Sequence, residues 1–194
     1  MLTFSKVLKA NHNGVTMRSL YTEFEGYKVV FSESIPLAAA VRTYFDLSAP
    51  MVMVSAYFME LPENIQKFIL YHEIAHIING DVAEVEADVT RDNIPTQDNV
   101  NNAFSKHYEE RMNCEGVDPR EVMADLYALS RTDITTALEA LEEISKFIAE
   151  YYNYYILTIQ DEAATKENKK RLSEALVEIN IRAEQIKLSE TSVG

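Results

Sequence analysis

The chain has a single cysteine, Cys114, in 194 residues. One thiol excludes an internal disulfide framework and leaves no cysteine cluster for a structural zinc site, so any metal must be held by His, Glu or Asp. Glycine and proline are scarce as well, five of each beside 47% hydrophobic and 25% charged residues, which is not the composition of a disordered or low-complexity chain. Positive charge is in deficit. Lys and Arg number 18 against 31 Asp and Glu, giving a formal charge of -13, and such a surface opposes phosphate backbones and anionic membranes. Nucleic acid is therefore not an expected partner. No stretch reaches the roughly 18 apolar residues that a membrane span needs, and the residues from Met1 to Lys6 carry no apolar signal-peptide core. The expected setting is cytoplasmic, and the length suits one domain, or one domain with a helical extension.

Strand signals are concentrated in residues 1–60: Val15 to Tyr21, Tyr27 to Phe31 and Met51 to Phe58 are short, β-branched or aromatic, and bounded by turn residues. Leu37 to Phe45, between the last two, reads as a helix. Pro62 suits a first helical position, and a helix from Glu63 to Asn79 would bury Leu70, Ile74, Ile77 and Ile78 before Gly80 ends it. Residues 81–97 are acidic and irregular, a helix is expected from Asn99 to Met112 behind Asp98, and Asp118-Pro119 opens another to about Ser130. The rest is helical almost to the end. Ile134, Leu138, Leu141, Ile144, Ile148, Tyr151 and Tyr155 form one stripe, and Leu172, Leu176, Ile179, Ala183 and Ile186 form a second with coiled-coil spacing.

His72-Glu73-Ile74-Ala75-His76 lies within the helix expected over 63–79. Two histidines four apart on a helix project from one face about one turn apart and can share a metal ion. Glu73, one residue on, can reach water held at such an ion without being a ligand, and so serve as general base when that water attacks a peptide carbonyl. A coincidental pair of surface histidines is the bland alternative. Against it stand the amphipathic context and the fact that two of only four histidines occupy the motif.

A catalytic zinc site usually has three protein ligands and one open position. The sixth residue after His76 is Val82, which excludes the metzincin pattern with its third histidine; His12 and His107 lack supporting context. Two segments share the form E-x-x-A-D, one from Glu84 to Asp88 and one from Glu121 to Asp125. The first leaves little chain for a turn after His76. The second opens the helix from Asp118 and is favoured, with Glu121 as ligand and Glu84 or Glu86 as rivals. Asp118 and Glu121 also have the spacing of a capping box, in which Glu121 would bind only the helix's own backbone. Asp125, one turn on, can hold a ligating histidine through its other ring nitrogen.

The stretch from His72 to Asp81, His-Glu-Ile-Ala-His-Ile-Ile-Asn-Gly-Asp, together with Glu121-Val122-Met123-Ala124-Asp125, resembles the motifs of gluzincin zinc peptidases, HtpX-type proteases in particular. ImmA/IrrE-type and minimal gluzincins use related signatures in soluble proteins. The resemblance implies Zn2+ held by His72, His76 and Glu121, Glu73 as general base, and Asp125 as a supporting acid. It also implies that the strand before the motif helix, Met51 to Phe58, offers a free edge to an extended peptide. An oxyanion-steadying residue is common in the clan; Tyr108, His107 and Tyr127 are conceivable, and each reads first as a packing residue.

The expectation is thus an α+β protein: a zincin-like domain over 1–132 with a short N-terminal sheet and the HExxH helix, then a helical extension over 133–194. Its expected activity is that of a zinc metalloendopeptidase acting on a protein or peptide. The alternative is a helical interaction or assembly protein with a structural or vestigial metal site, in which the C-terminal helices meet a partner or a second copy.

Overall fold

In the computed structural model, residues 6–12, 15–32, 35, 37–43, 49–85 and 117–191 are described. The β-rich N-terminal part begins with β1 (Lys6–His12) and β2 (Val15–Phe24), paired antiparallel, followed by β3 (Tyr27–Phe31). Glu25 and Gly26 join β2 to β3 with φ of 51° and 81°. Two successive positive φ values make the tight turn whose twist suits a hairpin, and Gly26 accepts that geometry without Cβ strain.

The six strands are ordered β1-β2-β3-β5-β4-β6, where β4 is Ala38–Thr43, β5 is Met51–Val54 and β6 is Ala83–Val85. The sheet is mixed: β5 runs parallel to β3 and antiparallel to β4, and β4 runs parallel to β6. Three expectations are corrected here. The segment expected as a helix over 37–45 is a strand over Ala38–Thr43, its last two residues lying outside the described ones, because pairing to β5 on one side and β6 on the other outweighs the helix preference of its three alanines. The strand expected from Met51 to Phe58 stops at Val54. Ser55 caps a short helix α1 (Ala56–Glu60) by accepting from the Phe58 N–H. Nor does β5 have a free edge: it lies between β3 and β4, and Val52 and Val54 are fully buried, as an all-apolar interior strand requires.

Helix α2 spans Glu63–Asn79, as its periodicity predicts, and is buried on more than one side because it packs against β4 and β5 and also against the later helices. Phe68, Leu70 and Ile74 are fully buried, whereas Ile78, expected in the core, is exposed beyond the last covered turn. Gly80 ends α2 in the left-handed region, with φ 75°, and the Asp81 N–H then closes onto the His76 carbonyl at 2.8 Å.

The remaining described chain is helical: α3 (Pro119–Leu129), α4 (Ile134–Thr158) and α5 (Glu162–Thr191). Asp118 caps α3 by accepting from the Arg120 N–H, and Pro119 occupies the first turn, where its missing N–H costs nothing. Ala124, Ala128, Ala137 and Ala140 are all fully buried, and these small side chains let the helices approach closely. Strand residues Val29, Val52 and Val54, the apolar face of α2, and Leu141, Ile179 and Ile186 belong to one hydrophobic cluster. The stripe on α4 is packed on that cluster from Ile134 to Ile148, while Tyr151, one turn further on, is exposed. The architecture is α+β.

Candidate metal centre

Two helix faces meet at the site. On α2, His72 and His76 are both buried, and on α3 the buried residues Glu121, Ala124, Asp125 and Ala128 follow the i, i+3, i+4, i+7 spacing of one helical face. Ala124 and Ala128 bring α3 close, and the acids sharing their face are thereby aimed at the imidazoles. Asp118 binds the backbone at the start of α3, and the Glu121 carboxylate lies between the two histidines.

His72 Nε2 and His76 Nε2 are 3.0 Å apart, Glu121 Oε2 is 3.3 Å from the first and Glu121 Oε1 is 3.2 Å from the second. Each imidazole is held from behind. His72 Nδ1 donates to Asp125 Oδ1 at 2.8 Å, and His76 Nδ1 donates to Asp81 Oδ2 at 3.0 Å. A proton kept on Nδ1 by a carboxylate leaves the Nε2 lone pair for a metal. The acids are themselves held by arginines: Arg182 from α5 bonds to Asp125 through Nε (2.6 Å) and Nη2 (2.8 Å), and Arg120 Nη1 bonds to Asp81 at 3.1 Å.

The electrostatics suit a cation. Burial works to lower the pKa of both histidines, and the surrounding carboxylates overcome it: Glu121 and Asp125 leave His72 raised, while Asp81, Glu121 and Glu73 push His76 up to about 10. Burial opposes the charge of Asp125, but Arg182 and then His72 bring its pKa below the ordinary carboxylate value. Arg182, also buried, stays raised because Asp125 and Glu121 outweigh its desolvation. The carboxylates around the two imidazoles thus favour positive charge at the point where they meet.

The donor set fits such an ion. Four donors about 2.0–2.1 Å from a tetrahedral zinc stand about 3.3 Å from one another; here the two Nε2 atoms are 3.0 Å apart and each meets a different oxygen of Glu121 at 3.2 to 3.3 Å, while one ligand atom from each of the three residues lies within 4.8 Å of the other two. Two imidazole nitrogens and one carboxylate oxygen are ligands that zinc accepts. Among the described residues, His72, His76 and Glu121 form a buried cluster that could hold a metal ion. Comparison with family models, curated proteins and solved structures finds no match. The site stands on its own geometry.

Glu73 lies on the wall of a cavity of about 530 Å³ that also reaches His72, Glu121 and Arg182, with Leu37, Ile144 and Ile148 among its apolar lining. Its Oε2 accepts the Ala40 N–H at 2.7 Å, which ties it to β4. Tyr127, one of the conceivable oxyanion residues, is packed against the core and has Arg131 over its ring at 5.3 Å. Among the rivals, Glu84 belongs to β6 and His12 to β1, but their side chains are outside the description; Glu86, His107 and Tyr108 lie outside the described residues. Sequence reasoning missed three supports. Asp81 entered only as the last residue of the motif stretch that begins at His72, without a role, and neither Arg120 nor Arg182 was singled out, although Arg182 stands between Ile179 and Ile186 on an apolar seam.

Among the described residues no helix is long and apolar enough to cross a membrane.

Proposed function

We propose that the chain is a zinc-dependent metallopeptidase of gluzincin type, with His72, His76 and Glu121 as ligands and Glu73 as general base. The observation that carries the reading is the convergence of two Nε2 atoms and a carboxylate within 3.3 Å, with each imidazole fixed from behind by an aspartate. A zinc ion held there supplies Lewis acidity toward a peptide carbonyl and makes water easier to deprotonate. Glu73, adjacent in sequence to a ligand and exposed to the cavity, takes the proton on its carboxylate and passes it to the departing amine. The Ala40 N–H holds Glu73 Oε2, which limits the carboxylate's rotation.

The peptide would lie along β4 instead of β5. Pairing to β6 covers β4 only over residues 41–43, so the Ala38–Ala40 side facing Glu73 carries no strand among the described residues. An extended peptide can add there by backbone hydrogen bonds while its side chains enter the cavity.

Purified protein should contain about one zinc per chain, and Glu73→Gln should abolish peptide hydrolysis with the metal retained. Hydrolysis that persists in that variant would overturn the role of Glu73; a chain that takes up no zinc would overturn the whole reading.

A second reading, a helical interaction protein, draws on the apolar side chains that α4 and α5 expose: Tyr154 at 65%, Leu157 at 84% and Leu188 at 57%. The two are separated by sedimentation and peptidase assays on the His72→Ala/His76→Ala variant. Association that survives while no hydrolysis is seen even in the wild type would favour the second.

A further inference from the structure

The mechanism above makes no use of Arg182, and the physics of its position asks for an explanation. It lies on α5 three residues after Ile179 and four before Ile186, both buried, on the face that an apolar side chain would ordinarily occupy. Arg182 is itself only 6% exposed. Burying a guanidinium is costly, and an apolar side chain there would fasten α5 at least as well, so helix packing alone does not account for an arginine.

Its partners do. Nε and Nη2 grip both oxygens of Asp125 at 2.6 and 2.8 Å, while Nη1 reaches Glu121 Oε2 at 2.9 Å. One planar fork therefore touches the acid that holds His72 and the acid proposed as the third ligand. We infer that Arg182 is a positioning residue of the metal centre: it fixes the orientations of Glu121 and Asp125 together, which makes α5 a structural part of the site. The inference rests on the metal reading given above. With Asp125 oriented, His72 keeps its Nδ1 proton and presents Nε2. With Glu121 Oε2 engaged, the carboxylate plane is set so that Oε1 remains near His76 Nε2, 3.2 Å away. Lysine cannot replace this, because an ammonium lacks the fork that spans two carboxylates.

The test is a zinc titration of the folded, metal-free protein against a chromophoric chelator, comparing wild type with Arg182→Gln, Arg182→Lys and Ile186→Ala. Ile186 is a buried residue of the same helix without a role in the site, so its variant reports general loss of stability. Arg182→Gln should weaken zinc binding by ~10–100-fold and Arg182→Lys by less, whereas Ile186→Ala should lower Tm with the zinc affinity unchanged. The electronic spectrum of the cobalt-substituted protein should shift in Arg182→Lys and not in Ile186→Ala; should Arg182→Gln fail to fold, the lysine variant carries both readouts. Wild-type zinc affinity in the arginine variants, or an equal loss in Ile186→Ala, would overturn the inference and leave the metal site standing. A wild-type chain that binds no zinc would overturn the metal reading and the inference together.

Discussion

The two histidines of the site are supported in the same way but in different surroundings. Behind His72 stand Asp125 and Arg182, whose side chains are exposed by only 2% and 7%. Behind His76 stand Asp81 and Arg120, whose side chains are 12% and 36% exposed, and Arg120 is shared with Asp118. In the first, neither charge can be solvated if its partner is lost; in the second, water and the neighbouring acid can compensate. The difference teaches that the same His–Asp–Arg chemistry is rigid when it is buried among helices α2, α3 and α5, and adaptable when it joins the end of α2 to the first turn of α3 at a partly exposed arginine. Buried pairs are costly to break, while partly exposed ones contribute little.

The largest expected effect is at Asp125. Asp125→Ala leaves Arg182 buried with only part of its pairing and should cost about 3–5 kcal/mol of stability, measured by urea unfolding of the metal-free protein. A loss no greater than that of Asp81→Ala would dissolve the distinction between the two supports. Asp81→Asn should cost ~1 kcal/mol or less and should weaken zinc binding more than it weakens the fold, since its arginine remains partly solvated.

The pH dependence of the metal-free protein tests both supports at once. His76 has a folded pKa of about 10, above its ordinary 6.5, so its stabilisation is complete below pH 6.5 and is lost as pH rises through 10. Asp125 is lowered from 3.8, so its contribution is complete above that value and is lost as pH falls through its lower folded pKa. From these groups the metal-free chain should be most stable between about pH 4 and 6.5. Bound zinc should remove the alkaline decline, because it needs the imidazoles deprotonated. Thermal melts across this range with and without zinc provide the measurement, and an alkaline decline of equal size in both forms would count against the site. The smallest effect belongs to the turn: at Gly80, φ 75° with open space where a Cβ would sit, Gly80→Ala should cost only the left-handed backbone strain, about 1 kcal/mol, and should disturb Asp81 more than Asp125.

Much of the site was legible because helices are local objects. The spacing of His72 and His76, the stop at Gly80, the cap at Asp118, and the one-turn separation of Glu121 and Asp125 all follow from hydrogen bonds and side-chain rows within a few residues. The run from Leu37 to Phe45 failed on the same ground. Its alanines favour a helix locally, and only β5 and β6, brought in from elsewhere in the chain, make it a strand. The placement of β5 in the sheet interior was equally beyond local reasoning, since strand order depends on partners distant in sequence.

The sequence by itself determined that two imidazoles share a helix face, that a second helix carries two acids one turn apart, and that a single cysteine leaves no thiolate cluster for a metal. Only the tertiary structure decided that Glu121 lies between the imidazoles, that Ala40 of β4 is tied to Glu73, and that Arg182, 57 residues beyond Asp125, closes the site from behind. The physical reason is separation along the chain: periodicity reports which side chains share a face, whereas the burial of a charge among its partners depends on how whole helices pack.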